Sequence, residues 1–257
     1  MLVGGGAGEI GTGIVHAFLI TGATVIVPSR SEDRLDALSD HLGSAGVATD
    51  RLVTHVGNVG DPDGAEALRE IVLGRFGRVD AVAASLGGMQ LTERVTDTRV
   101  PVWNRVVESY VTANFILART FLPVLADRDD GTYTVVNGSS GATGTISSPD
   151  GSLLSVASVG LHALVHALAA DVDTFDESVQ ITELVPLVPV RSSSKRTMET
   201  GYLDAEAFGS VAVSLAAADD CHGATLGIRG RADVYEWRDD SGEWAPRQIP
   251  ESCESRT

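Results

Sequence analysis

The chain has 257 residues, of which 43% are hydrophobic, and it carries a formal net charge of -16 at pH 7. This length suits one large α/β domain with a substantial core. The negative charge argues against nucleic acid and against an anionic membrane as partners, because both attract basic protein surfaces.

Cysteine usage and hydropathy give further expectations. Cys221 and Cys253 are far apart and match no metal or disulfide framework, which fits a reducing compartment. We expect no apolar run of membrane-spanning length and no secretory signal. The sequence therefore predicts a soluble, cytoplasmic protein. Its first strand is short, which suggests that the natural start lies a few residues before Met1.

The chain begins with a short apolar strand that leads into a glycine-rich turn. Gly6, Gly8 and Gly11 precede an apolar-periodic stretch, which predicts a strand, a tight turn and a helix. Glycines let the backbone approach a pyrophosphate, and the helix N-terminus offers it N–H groups. The pattern is informative because it opens a βαβ unit. The alternative is a glycine-rich turn without a ligand.

Predicted strands and helices then alternate along the chain. The strands are expected at 24–27, 52–56, 79–84, 133–137, 179–185 and 224–228, and the helices at 32–42, 62–76, 102–125, 153–174 and 205–218. This repetition predicts a doubly wound parallel sheet with helices on both faces, a three-layer α/β/α Rossmann domain over residues 1–230.

Residues 231–257 form a predicted C-terminal extension. Two short apolar runs flank a turn that contains Gly242, which predicts a β-hairpin. Trp237 and Trp244 lie on this small element, so we expect them to pack against the body of the protein or against a partner subunit.

Over about residues 1–230 the chain resembles the short-chain dehydrogenase/reductase family. The spacing of Gly5, Gly8 and Gly11 is similar to a TGxxGxxG variant of the family's cofactor loop, with Gly4 where threonine is usual. The segment 136–140 resembles the one that carries the family's active-site serine, which aligns with Ser140.

The resemblance implies a set of cofactor-binding positions on the glycine loop and at the ends of the next three strands. They are Gly5, Gly6, Gly8, Glu9, Ile10, Gly11, Ser29, Arg30, Asn58, Val59, Ser85 and Gly87.

The end of the second strand implies NADP(H), although NAD(H) remains possible. An acidic residue there would bind a ribose 2′-hydroxyl, whereas this chain has Ser29 and then Arg30. A guanidinium suits a 2′-phosphate, and Arg34 is placed to assist. The alternative is that Arg30 is a solvated arginine at the start of a helix.

The family's YxxxK motif is missing. In the family this tyrosine is the proton donor, and the lysine lowers its pKa. None of the four tyrosines is followed by lysine at this spacing, and Lys195 is the only lysine. Leu154 and Ser158 align with the motif, or Ser155 and Val159 after a shift of one residue.

Three interpretations follow. In the first, the protein transfers hydride as an atypical NADP(H)-dependent oxidoreductase of a small organic carbonyl or alcohol. Tyr110, which aligns with the family's helix asparagine, is then the candidate proton donor, and Ser140 hydrogen-bonds the carbonyl. In the second, the pocket catalyses a redox-neutral reaction such as dehydration, isomerisation or cyclisation. In the third, the protein is a dinucleotide-binding regulatory module.

Two further expectations concern metals and subunits. His162 and His166 lie one helical turn apart, a spacing that can hold a metal, but no third ligand is evident from the sequence. We therefore predict no metal site and interpret the pair as lying at a surface or subunit contact. The resemblance implies a homodimer or homotetramer.

Overall fold

The structure is a computed structural model, and it describes residues 1–88, 94–128, 130–146, 151–175, 178–191, 201–218, 221–238 and 241–248. The strands are β1 Leu2–Gly4, β2 Val25–Ser29, β3 Leu52–Val56, β4 Ala81–Ala84, β5 Gly131–Val136, β6 Val179–Pro186, β7 Val190–Arg191, β8 Leu203–Asp204, β9 Thr225–Gly230, β10 Asp233–Arg238 and β11 Glu243–Arg247.

The α-helices alternate with these strands along most of the chain. They are α1 Glu9–Ile20, α2 Glu32–Ser44, α3 Pro62–Phe76, α4 Val100–Val107, α5 Ala113–Ala126, α6 Ser140–Thr143, α7 Ser152–Phe175 and α8 Ala205–Ala216. A π-turn over Glu108–Thr112 joins α4 to α5, so the predicted helix at 102–125 is continuous but underwound at its centre.

Nine strands form one sheet in the order β11-β10-β9-β6-β5-β4-β1-β2-β3. The strands from β9 to β3 in this order are parallel. The strand order reverses between β1 and β4, where the chain crosses from one half of the sheet to the other. This arrangement confirms the predicted doubly wound Rossmann fold.

The two faces of the sheet pack against separate layers of helices. Successive residues of a strand point to opposite faces, and Leu2 and Val3 accordingly belong to different core clusters. Val3 packs with residues of α1 and α8, such as Phe18 and Phe208. Leu2 packs with residues of α5 and α7, represented by Phe121. The site described below lies above the strand ends, between these layers.

Helices α1 and α8 approach one another closely at two glycines. A Cβ atom on Gly13 would overlap the backbone carbonyl of Ala205, and one on Gly209 would overlap the carbonyl of Gly13. The absence of side chains at these positions lets the two backbones touch. The contact fixes α1, and with it the glycine-rich turn, on the sheet.

Two helices near their predicted positions are long and apolar. Val100–Ala126 and Ser152–Thr174 have the length and mean hydropathy of membrane-spanning helices, so the expectation that no run reaches this length was wrong. In the structure Leu117, Phe121 and Leu161 of these helices are buried in the core against the sheet. Packing on the sheet buries 33% of the apolar window of the first helix and 39% of that of the second, so it accounts for part of their apolar character.

The C-terminal hairpin adds two strands to the main sheet. β10 pairs antiparallel with β9 and then with β11, which confirms the predicted hairpin. Trp237 and Trp244 face one another across the hairpin with ring centroids 5.2 Å apart. A Cβ on Gly227 of β9 would lie 2.8 Å from the Trp244 ring, so this tryptophan packs on the body of the protein, as expected. The division into domains at residue 230 stays a prediction.

Candidate active site

A cavity of about 160 Å³ opens at the point where the strand order reverses, above the carboxyl ends of the central strands. In doubly wound sheets this crevice is where ligands bind. The cavity brings together many of the residues that the family resemblance implied. Those that line it are Gly5, Gly8, Ser29, Arg30, Asn58, Val59, Ser85 and Gly87. Gly6, Glu9, Ile10 and Gly11 complete the turn and the first turn of α1 behind them.

The glycine-rich turn is shaped by contacts that exclude side chains. Gly5 has φ +75°, and a Cβ there would overlap the backbone carbonyl of Ser85 at the end of β4. The Gly8 N–H donates to the Gly5 carbonyl at 2.9 Å, which closes the turn immediately before α1. Gly8 is the N-cap of α1, so the helix begins at the cavity. The first N–H groups of a helix have no partner within the helix and carry a partial positive charge, which suits an anion.

Two arginines stand on the side of the cavity formed by the end of β2. The Arg34 guanidinium donates to the carbonyl of Ala7 at 2.9 Å and so ties α2 to the glycine-rich turn. Arg30 is exposed and lines the same cavity. Ser31 caps α2 by accepting from the Arg34 N–H. None of the described residues that line the cavity is acidic. This side of the cavity is therefore electropositive.

The ends of β3 and β4 complete the cavity walls. The Asn58 side chain accepts from the Gly60 N–H at 3.1 Å and shapes the turn that leads into α3. Val59 is buried beside it. The Ser85 N–H donates to the Gly4 carbonyl at 2.8 Å, so the loop after β4 is joined to the glycine-rich turn.

Tyr110 packs over the loop that follows β4. Its ring lies against Gly87, where a Cβ would come within 2.9 Å of the ring, and its hydroxyl donates to the Gly88 carbonyl at 2.8 Å. Burial raises the pKa of Tyr110. Tyr110 lies in the π-turn, and such turns are frequent at functional sites. The Asn114 amide donates to the Tyr110 carbonyl at 2.6 Å and supports this turn.

Ser140 begins the short helix α6. Its side chain lies next to Ser155, which aligns with the family tyrosine in one of the two registers considered above. The Ser155 hydroxyl lies 3.2 Å from the Ser140 hydroxyl and 3.1 Å from the Gly151 carbonyl. Ser155 is buried, whereas Ser140 is half-buried and open on one side. The register that aligns Ser155 with the family tyrosine is therefore the one that faces Ser140.

Ser158 and Asn137 support the Ser140 turn from below. Ser158 is buried, and a Cβ on Gly138 would lie 3.0 Å from its hydroxyl oxygen. The Asn137 amide donates to the Ser158 carbonyl at 2.9 Å, and its oxygen accepts from the Gly138 N–H at 2.7 Å. Sequence reasoning did not assign Asn137 to the site, although its place at the end of β5 is a signal that could have done so.

A family model described as short chain dehydrogenase matches residues 1–197. The chain belongs to the short chain dehydrogenase family. Among curated relatives of this chain, the short chain dehydrogenase/reductase dpmpG of Macrophomina phaseolina is 29% identical over 141 residues, covering 55% of this chain and 79% of that protein.

Other curated relatives are matched over a smaller part of their length. The short chain dehydrogenase/reductase dpchG of Colletotrichum higginsianum is 26% identical, and the match covers 55% of this chain and 52% of that protein. The 3-oxoacyl-(acyl-carrier-protein) reductase FabG of Escherichia coli is 27% identical over 173 residues, 66% of each chain. The chain thus spans between about half and four-fifths of these relatives.

Solved structures agree with the fold. A metagenomic short-chain oxidoreductase in complex with NADP superposes with a TM-score of 0.73 at 19% identity, covering 89% of this chain and 96% of that one. A short chain oxidoreductase from Pseudomonas aeruginosa described as containing an atypical catalytic center gives a TM-score of 0.76 at 20% identity, covering 89% of this chain and 95% of that one.

Proposed function

We propose that this short-chain dehydrogenase is an NADP(H)-dependent oxidoreductase that acts on a small organic carbonyl or alcohol. The observation that carries the proposal is the cavity at the strand-order reversal, which joins the glycine-rich turn to Arg30 and Arg34 without an acidic residue in its described lining. The NADP complex of a structural neighbour is consistent with this assignment.

The residues present fit a dinucleotide phosphate. The missing side chain of Gly5 lets the turn pack against the Ser85 carbonyl, and the turn ends at the N-terminus of α1, where helix N–H groups suit a pyrophosphate. Arg30 would pair with a 2′-phosphate, and Arg34 would hold the turn in place through Ala7. Asn58 and Val59 would flank the adenine. When bound, the cofactor would supply or accept the hydride, and the proton that the substrate oxygen gains or loses would exchange with solvent at the open side of the site.

We assign the polarisation of the substrate oxygen to the Ser140–Ser155 pair. The Ser155 hydroxyl has one proton, which can go to Ser140 or to the Gly151 carbonyl. In the arrangement in which it goes to Ser140, the Ser140 proton points to the open side of the site, where a carbonyl oxygen can accept it. A preorganised donor of this kind stabilises negative charge that develops on the oxygen. Tyr110 holds the loop at Gly87 and Gly88, next to the cofactor cavity.

A homo-oligomer is part of the proposal. Phe115, Val156 and Val159 are exposed apolar residues of α5 and α7, and each has more than 40% of its surface accessible. Scattered apolar residues are common on protein surfaces, but three on neighbouring helices suit a contact between copies. Analytical ultracentrifugation of the full chain would test this contact.

The first experiment is titration of the purified protein with NADPH and with NADH, followed by tryptophan fluorescence and calorimetry. We expect tighter binding of NADPH. Arg30→Ala should weaken the binding of NADPH by about 10-fold or more and leave the binding of NADH nearly unchanged. The reason is that a charge-assisted hydrogen bond to a phosphate contributes about 1.5–3 kcal/mol.

The matched control for this titration is Arg51→Ala. Arg51 is an exposed arginine whose guanidinium binds the Gly22 carbonyl, away from the cavity, and the variant should bind both cofactors normally. If Arg30→Ala weakened the binding of NADPH and of NADH equally, Arg30 would not be the residue that recognises the 2′-phosphate. Failure of the wild-type protein to bind either cofactor would overturn the proposed function and favour a redox-neutral activity.

A further inference from the structure

A buried carboxylate lies beneath the Ser140 turn. Glu183 of β6 is 0% exposed and faces helix α7. One of its oxygens accepts from the Asn137 amide at 2.6 Å, and the other accepts from the Thr225 hydroxyl at 2.7 Å. A buried carboxylate is unfavourable unless positive charge compensates it. The described contacts of Glu183 include no lysine or arginine.

Two histidines on α7 meet this carboxylate. His162 Nδ1 lies 2.6 Å from the second Glu183 oxygen. The rings of His162 and His166 are 4.4 Å apart between centroids and inclined by 68°. His166 Nε2 is 3.4 Å from the Thr225 hydroxyl. One ligand atom from each of His162, His166 and Glu183 can be chosen so that all three lie within 4.8 Å of one another.

This set has the composition of a metal site. Residues four apart on a helix project side by side, so His162 and His166 can both bind one ion. Two imidazoles and a carboxylate are ligands that Zn²⁺ and neighbouring divalent transition metals accept. Ligands of a tetrahedral Zn²⁺ lie about 3.3 Å apart for bond lengths near 2.0–2.1 Å. The three groups lie within 4.8 Å of one another, so an ion would have to draw them closer to reach this spacing.

We propose that His162, His166 and Glu183 bind a divalent transition-metal ion of the Zn²⁺ type. From the sequence alone the histidines are expected at a surface or subunit contact, because the third ligand lies 21 residues away on another element. Asn137 and Thr225 orient the carboxylate from outside the ligand set, as outer partners of metal ligands do. Asn137 also holds the Gly138 N–H, so the ion would brace the turn that carries Ser140. The site joins α7, β6 and β9.

The test is titration of the chelator-treated full chain with Co²⁺, which reports its coordination through visible absorption, followed by displacement with Zn²⁺. We expect one Co²⁺ per chain. His166→Ala should reduce the affinity by more than about 100-fold, and Thr225→Val by about 10- to 100-fold, the range for outer partners of a metal site. His55→Ala is the control, because this half-buried histidine lies on β3 at the other end of the sheet.

His166→Ala leaves the hydrogen bond between His162 and Glu183 in place, so it separates metal binding from folding. Circular dichroism would verify that the variant is folded. Absence of Co²⁺ binding by the wild-type chain would overturn the proposal, as would binding that His166→Ala leaves unchanged. The outcome is independent of the NADPH titration, since the readout is the metal spectrum.

Discussion

At the scale of single residues, two serine hydroxyl groups lie together at the candidate site, Ser140 where the family has its serine and Ser155 where one register places its tyrosine. Ser155 is buried, and its hydroxyl lies 3.2 Å from the Ser140 hydroxyl and 3.1 Å from the Gly151 carbonyl. A serine hydroxyl donates a hydrogen bond but is a far weaker acid than a tyrosine whose pKa a lysine has lowered. Under the proposed function we therefore expect slow turnover that depends on hydrogen bonding to the substrate oxygen.

We predict that Ser140→Ala lowers kcat by about 10²- to 10³-fold, the usual effect of losing one donor to a developing oxyanion. Ser155→Ala should lower kcat less, because it disturbs only the orientation of Ser140. Steady-state kinetics with a responsive carbonyl substrate would measure both. Ser44→Ala, an exposed serine at the end of α2, is the control.

Tyr110→Phe in the same kinetic series separates the two candidate donors. We expect less than about a 10-fold change in kcat, since the Tyr110 hydroxyl is engaged by the Gly88 carbonyl. A loss on the order of 10²-fold would identify Tyr110 as the general acid instead.

Some of these residues could be predicted from sequence and others could not. The spacing of Gly5, Gly8 and Gly11 is local, and it identified the turn because a turn is defined by consecutive residues. The sequence allows two registers, which place either Leu154 or Ser155 at the position of the family tyrosine. Only the packing of α7 on the Ser140 turn distinguishes them. Glu183 could not be associated with His162 in advance, because the contact joins residues 21 apart on different elements.

At the scale of elements, the crossing of α1 and α8 controls the position of the glycine-rich turn. Gly13 and Gly209 let the two backbones touch. The sequence predicted both helices from their apolar periodicity, but it did not predict their contact, because a glycine inside a helix has no periodic signature. The π-turn at Glu108–Thr112 was missed for the same kind of reason, since a local change of pitch leaves the apolar pattern continuous.

We predict that Gly13→Ala destabilises the protein by about 1–3 kcal/mol, the usual effect of overpacking a filled interface. The new methyl group would meet the backbone of Ala205, which cannot rotate away as a side chain would. Urea unfolding would measure the change. Gly43→Ala in α2 is the opposite case, because nothing lies within 4 Å of its Cβ, and it should stabilise the protein by up to about 1 kcal/mol.

At the scale of the whole molecule, the core contains a tyrosine hydroxyl that no described residue binds. Tyr133 of β5 is fully buried, and burial strongly raises its pKa. The folded protein thus keeps this proton at pH values where the unfolded chain releases it. Ionisation of Tyr133 therefore does not lower the free energy of unfolding at pH values below the tyrosine pKa of the unfolded chain, about 10. Above that pH the free energy of unfolding falls, because only the unfolded chain releases the proton.

We predict that the free energy of unfolding falls between pH 10 and 11, by up to about 1.4 kcal/mol per pH unit for one group. Tyr110 adds to this effect because its pKa is also raised. Tyr133→Phe should flatten the pH dependence and leave the protein at least as stable at pH 7, since it removes an unpaired buried hydroxyl. Denaturant unfolding at a series of pH values would measure this. An equally steep fall of the free energy of unfolding in the wild-type protein and in Tyr133→Phe would contradict the prediction.

The C-terminal hairpin has a consequence for self-association. Without β10 and β11, the outer strand would be β9, whose residues Thr225–Ile228 are all buried in the complete chain. A bare apolar strand edge is a template for pairing with another chain, and proteins avoid it by ending sheets with prolines and charges. Here β11 carries Pro246, which has no N–H to offer, between Glu243 and Arg247. The hairpin thus covers the edge of β9 and ends the sheet with a strand that is a poor partner for another chain. We expect a chain shortened to residue 230 to be prone to aggregate.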